Sequence, residues 1–176
     1  MTEKRAMQLA AVNGSDGVPF TSDDELQFIS FTIGAEDYGV DIMAVREIRG
    51  WTDTTALPNS PQYVRGVINL RGVIVPIFDL RARFGLGSTD ATKTHVVIVV
   101  AVGARTIGIL VDGVSDILKL KPIDVRPVPE MDRAIDDAYL SGLVTVGERV
   151  VAVIDLPRLF ETSTIITGQA LSHPGR

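Results

Sequence analysis

Two imidazoles, His95 and His173, are the only histidines in the 176 residues, and there is no cysteine at all. Thiolate chemistry is therefore excluded, and general acid–base work has little to draw on. His95 falls at the edge of a Val-rich strand pattern and His173 in the C-terminal tail, so the two do not form a pair. No Ser stands in a nucleophile-elbow setting, no glycine-rich loop precedes a Lys to cradle phosphate, and no His and carboxylate cluster has metal-ligand spacing. The arrangement closest to catalysis is Asp79 with Asp155, one carboxylate from each half of the chain, as a two-carboxylate dyad requires. Each is followed at once by a short helical pattern, Leu-Arg-Ala-Arg-Phe after Asp79 and Leu-Pro-Arg-Leu-Phe after Asp155. Helix N-capping accounts for both, and neither lies in an Asp-Thr-Gly or Asp-Ser-Gly turn. The chain reads as non-enzymatic, with no catalytic residue, cofactor or metal.

The elements that carry these residues are short strands rich in Val and Ile, broken by Gly, Asp or Pro. They run over residues 26–33, 38–42, 64–70, 73–78, 96–102, 107–111 and 150–154, a mainly β grammar with brief helical turns after Asp79, over 132–138 and after Asp155. Gly85 is the stop signal of the first turn. Residues 1–24 show no sustained period and read as a flexible arm, and residues 163–176 as a frayed tail.

Laying the chain over itself reveals a duplication. Gly34, Tyr38, Gly39, Val40, Ile42, Val45 and Ile48 fall on Gly103, Ile107, Gly108, Ile109, Val111, Val114 and Ile117 at a constant offset of 69. Residues 63–84 fall on 139–160 at an offset of 76, matching Tyr63, Gly66, Asp79, Leu80 and Phe84 to Tyr139, Gly142, Asp155, Leu156 and Phe160. Two halves of about five strands each predict two small barrels related by an approximate two-fold axis. A barrel of this size buries little alone, so the pair must share a hydrophobic interface and strands can be exchanged between them. We expect a single unit over 25–162, with a first barrel near 25–90 and a second near 93–162.

A formal charge of -5, an aromatic content of 6% and the absence of a basic stripe argue against a nucleic-acid surface. Thirteen of the seventeen basic residues are Arg, a composition suited to semi-buried pairing and protein interfaces. The longest unbroken apolar run, Val96 to Val102, is far shorter than the ~20 residues of a spanning helix, and Met1 to Pro19 has no apolar signal core, so a cytoplasmic protein without membrane insertion is expected.

The segment Val64-Arg-Gly-Val-Ile-Asn-Leu-Arg-Gly-Val-Ile-Val-Pro-Ile-Phe-Asp-Leu-Arg81 resembles the signature of the CheW-like family, with support from Tyr38 to Gly50, Val111 to Asp116 and Tyr139 to Gly142 in the same order. The resemblance spans about 26–162. It implies two five-stranded SH3-like β-barrels and a scaffold of bacterial chemotaxis signalling, recruited to chemoreceptor arrays. The partners it implies are the cytoplasmic hairpin tip of a methyl-accepting chemoreceptor and the regulatory domain of the histidine kinase.

Specific residues follow from that resemblance. It sets Glu47 and Arg71 facing each other near a receptor groove, where half-buried charges would be costly to separate; two solvated loop charges are the other reading. Leu70-Arg71-Gly72 breaks two apolar strands where a hairpin turns, and Gly72 can adopt a positive φ there. Gly66, Gly72 and Gly108 serve either tight barrel corners or a groove floor without Cβ atoms, walled by Val45, Val96 and Val114. The resemblance puts kinase contacts at Arg126 and Met131, in the Pro-rich loop Val125 to Met131, although the family often carries an aromatic where Met131 stands. Independently of the resemblance, Ile74 and neighbouring apolar residues of the first barrel are the expected main kinase contact, with core burial the competing reading for each. The competing function is a small β-barrel that takes a soluble ligand, which needs a roomy pocket with convergent polar groups.

Overall fold

The computed structural model describes residues 25–129 and 139–160. Ten strands form two five-stranded sheets. In chain order they are β1 (Leu26–Ile33), β2 (Glu36–Asp41), β3 (Val45–Gly50), β4 (Val64–Leu70), β5 (Val73–Asp79), β6 (Val96–Val102), β7 (Arg105–Val111), β8 (Gly113–Leu120), β9 (Leu140–Val146) and β10 (Arg149–Ile154). A single helical turn, α1 (Leu80–Arg83), follows β5, and residues 156–160 are helical after β10. The expected turn over 132–138 lies outside the described residues.

The first sheet has the order β8-β1-β2-β10-β9 and the second β3-β6-β7-β5-β4. Neither is built from one half of the sequence: each takes strands from both, so the strands are exchanged between the barrels. Replacing each strand by its counterpart in the duplication turns the first order into the second. The symmetry extends to register. The parallel pair β10–β2 sets Val153 opposite Gly39, and the parallel pair β5–β7 sets Ile77 opposite Gly108. Those residues correspond at the same two offsets that align the sequence halves.

Both sheets close in the same manner. After β3 the chain returns so that Thr55 exchanges two main-chain hydrogen bonds of 2.9 Å with Val67 of β4, the strand at the opposite end of the sheet. After β8, Arg126 exchanges two of 2.8 Å with Leu143 of β9. These bridges saturate edge groups that an open sheet would leave unpaired, and they give each sheet its SH3-like barrel form.

The strand pattern of the sequence missed β3, β8 and β9. β3 reads Val-Arg-Glu-Ile-Arg-Gly with exposure alternating along it, and β8 carries Ser115, Asp116 and Lys119 among its apolar residues. All three strands lie at a sheet edge, where the charged side chains of β3 and β8, and Ser141, Gly142 and Thr145 of β9, dilute the apolar density that marks a strand.

Between the sheets lies the main core. It contains Ile29, Phe31, Ile33, Tyr38 and Val40 of the first sheet, and Phe78, Ile98, Val100, Ile107 and Ile109 of the second. Leu80, Phe84, Leu156, Leu159 and Phe160 of the two helical turns complete it. Smaller clusters fill each barrel: Leu70, Val75, Ile77, Val97, Val99 and Leu110 in the second, and Phe28, Val144 and Val153 in the first. At the junction, the Arg83 guanidinium is sandwiched by the duplicated tyrosines, 4.9 Å from the Tyr63 ring and 4.6 Å from that of Tyr139.

Candidate functional site: the barrel seam and the inter-sheet cleft

The β4–β5 hairpin places Arg71 and Gly72 at a two-residue turn with Leu70 paired to Val73. Both turn residues have positive φ, 50° for Arg71 and 89° for Gly72, the type I′ geometry that matches strand twist. The Asn69 side chain accepts from the Gly72 N–H at 2.7 Å and fixes the turn. Gly72 has open space around it, so its role is conformational. Arg71 is different: a residue with a Cβ pays for a left-handed backbone, and such strain concentrates where a side chain must be presented.

What this turn presents is a guanidinium aimed back at β3. Arg71 Nη2 donates to Glu47 Oε1 at 2.7 Å, and Arg49 Nη1 lies 3.5 Å from Glu47 Oε2. The hydrogen bond from Arg71 is the largest influence on Glu47 and lowers its pKa; partial burial opposes it, and the charges of Arg71 and Arg49 add to the lowering. The pair spans the seam where the second barrel closes. The Arg71 side chain is 75% exposed and that of Glu47 27%, so the expectation of a half-buried pair, costly to break, is corrected. One charge reaches into solvent, where water and salt screen it.

The glycines sort by what faces them. A Cβ on Gly66, whose φ is 136°, would run into the main-chain carbonyl of Thr55 at the closing bridge. A Cβ on Gly108 would meet Ile77 and, at 3.0 Å, Val97. Both faces are filled by the chain itself. The reading of these two glycines as an open groove floor is therefore corrected in favour of barrel closure and interior packing. Val45, Val96 and Val114 are partly buried and pack against the inter-sheet core, on β3, β6 and β8.

Ile74 lies at the start of β5, 60% exposed, next to Val73 at 53%. It borders a shallow depression shared with Arg49, Asp53, Thr55, Val67 and Asn69 on the closed seam. The duplication repeats this exposure: Val150 stands at the position of Ile74, and Ile117 at that of Ile48, and all four are solvent-facing. Arg126 spends its main chain on closing the first barrel and leaves its side chain exposed. Met131 lies outside the described residues.

A second concavity, which sequence reasoning missed, opens between the sheets. Phe28, Met43, Ala44, Ala101, Val102 and Ile154 supply apolar walls, with Asp41, Ser141 and Asp155 among its polar lining. Its mouth carries Met43, 77% exposed, on the 3-10 turn Ile42–Ala44 that connects β2 to β3; Asp41 caps that turn by accepting from the Met43 N–H at 2.9 Å. The available signal was the exchange, at equivalent positions of the duplication, of Asp112 for Met43.

The residues first weighed for chemistry have structural roles. Asp79 is fully buried; its carboxylate accepts from Thr89 N–H at 2.7 Å, Thr89 Oγ1 at 2.6 Å and Ala82 N–H at 3.3 Å, with Arg65 3.8 Å away. Asp155 accepts from the Arg158 N–H at 3.1 Å, capping the helical residues after it. His95 Nδ1 accepts from the Thr92 N–H at 3.0 Å, and Nε2 lies 3.6 Å from Asp112. Among the described residues no group of three or more His, Asp or Glu could hold a metal, and no helix is long and apolar enough to cross a membrane.

Residues 27–164 match the family model described as the CheW-like domain. The chain is 44% identical over 149 residues to a chemotaxis protein CheW of Klebsiella aerogenes, an alignment that covers 84% of this chain and 90% of that one. It is 45% identical over 134 residues to a probable chemotaxis protein CheW of Rhizobium etli, covering 76% and 86%. The crystal structure of the scaffolding protein TtCheW from Thermoanaerobacter tengcongensis superposes with a TM-score of 0.73 at 31% identity, over 78% of this chain and 94% of that one.

Proposed function

Because the chain belongs to the CheW-like domain family, we propose that it is a non-catalytic chemotaxis adaptor, holding the cytoplasmic hairpin tip of a chemoreceptor and the regulatory domain of the histidine kinase in one geometry. The observation that carries the receptor end of this reading is the Arg71 side chain. It is three-quarters exposed, paired to Glu47, and held out by a left-handed turn residue. Burial does not explain that arrangement and neither does local stability, because an exposed pair on a strained turn adds little to the fold. Presentation to a partner does.

The receptor tip is a helical hairpin in this reading, and a helix docks by laying apolar side chains into a groove flanked by polar anchors. The inter-sheet cleft supplies apolar walls with carboxylates in its lining, and the Glu47–Arg71 seam supplies a charged anchor. Val45, Gly66, Gly72, Val96, Gly108 and Val114 then act behind that surface, by fixing the backbone and core on which it rests. The kinase end falls on Ile74 with its exposed neighbour Val73, and on the loop holding Arg126 and Met131. Two partners held by one adaptor let a small receptor rearrangement alter the population of active kinase without chemistry in the adaptor. Recruitment to membrane-associated receptor arrays follows from binding and calls for no insertion of this chain.

A titration of the purified protein against a kinase regulatory domain and, separately, a receptor hairpin fragment tests the reading. Saturable binding to both is expected, with Arg71→Glu weakened toward the receptor alone. Binding to neither by a folded protein would overturn it and favour a barrel that takes a soluble ligand.

A further inference from the structure

Two crossovers carry the chain from one sheet to the other: Ile42–Ala44 between β2 and β3, and Asp112 between β7 and β8. The duplication superposes them, yet they are built in opposite ways. At the second crossover, Asp112 Oδ2 accepts from Arg81 Nη2 and from the Gly34 N–H, both at 2.6 Å, while the Asp112 N–H donates to the Thr32 carbonyl at 3.0 Å. Gly34 and Thr32 belong to the first sheet and its β1–β2 turn, and Arg81 to α1 beneath the second. At the first crossover, Met43 replaces Asp112, Pro157 replaces Arg81, and Gly103 keeps the place of Gly34. All three line the open inter-sheet cleft. One junction is tied by a charged knot, and its counterpart has lost both charges.

We infer that Arg81 and Asp112 form a positioning latch, fixing the angle between the two barrels on one side so that occupancy of the cleft on the other side is transmitted to the kinase-facing surface. The apolar core resists separation of the sheets but is non-directional; it specifies contact more strongly than angle. A hydrogen-bonded ion pair shared by both sheets and the crossover adds the directional restraint. The Arg81 and Asp112 side chains are 27% and 26% exposed, sheltered enough for the pair to hold. The transmitting role rests on the adaptor reading; the angular role does not.

The absence of cysteine makes a distance measurement direct. Spin labels go on Lys119→Cys in the first sheet and on Asp53→Cys after the last strand residue of β3 in the second, both exposed positions. The unaltered latch should give one narrow distance distribution, Arg81→Met a broadened or displaced one, and Arg81→Lys a distribution near the original, since one nitrogen suffices for the single contact to Asp112. A distribution for Arg81→Met as narrow and as placed as the original overturns the latch. In reconstituted receptor–kinase complexes, Arg81→Met should bind each partner within about two-fold of the original yet lose receptor control of the kinase several-fold, with Arg81→Lys restoring it. Full control despite a broadened distribution overturns the transmitting role. If the unaltered protein binds neither partner, the adaptor reading fails and the distance distribution alone decides the latch.

Discussion

Glu47 and Arg71, 24 residues apart in sequence, meet at 2.7 Å across the seam that closes the second barrel. The strand carrying Glu47 and the strand leading into Arg71 stand at opposite ends of the sheet order, and closure alone brings them together. The pair therefore reports on the barrel's closure while offering most of its surface to solvent.

Arg71→Glu should separate these two properties. Exposure of the Arg71 side chain limits the loss of stability, and the melting temperature should fall by less than about 5 °C. Receptor affinity should fall at least about ten-fold, since a carboxylate beside Glu47 reverses the sign of the anchor. Calorimetry with a receptor-fragment titration reads both; a melting temperature lowered far beyond that range would make the pair structural instead.

Glu47 should titrate below the ordinary glutamate range, with the Arg71 hydrogen bond as the principal cause. A carboxylate whose folded pKa is depressed lends stability that is fully present above its unfolded value and is lost as pH falls through the folded one. The pair should thus be intact at neutral pH and weaken only in acid. Carboxyl carbon NMR of Glu47 checks this, and Arg71→Ala should move the midpoint upward.

The glycine contacts predict unequal costs for equal changes. In Gly66→Ala the new methyl meets a main-chain carbonyl at a closing bridge and also inherits a left-handed φ, so neither neighbour can yield cheaply. In Gly108→Ala it meets the tip of Ile77, which can change rotamer. Denaturant melts should show Gly108→Ala costing about 1–3 kcal/mol and Gly66→Ala more.

Duplicated aspartates should likewise differ. Asp79→Ala leaves Thr89, Ala82 and Arg65 without their buried acceptor and should cost about 3 kcal/mol or more. Asp155→Ala removes one helix cap at a partly exposed site and should cost about 1 kcal/mol. The same denaturant measurement compares them, and equal losses would contradict the burial of Asp79.

The mainly β class, the duplication and the two N-caps were legible because each is written in short-range spacing. Apolar runs alternate with turn residues, glycines recur at fixed offsets, and Asp precedes each helical turn. The family signature over 64–81 pointed to the same fold and to Glu47 with Arg71 as partners. Less legible were the edge strands β3 and β8, whose charges interrupt the pattern, and β9, interrupted by Ser141, Gly142 and Thr145.

By itself, then, the sequence determined two related halves and a shared apolar wall, since composition and local spacing suffice for those. Tertiary structure decided that the halves exchange strands, that Gly66 and Gly108 are filled from within, that Arg71 stays exposed, and that one inter-sheet junction is tied while its counterpart is open. Each of those depends on which residues distant in sequence come into contact when the sheets close. Spacing along the chain limits such contacts but does not select among them.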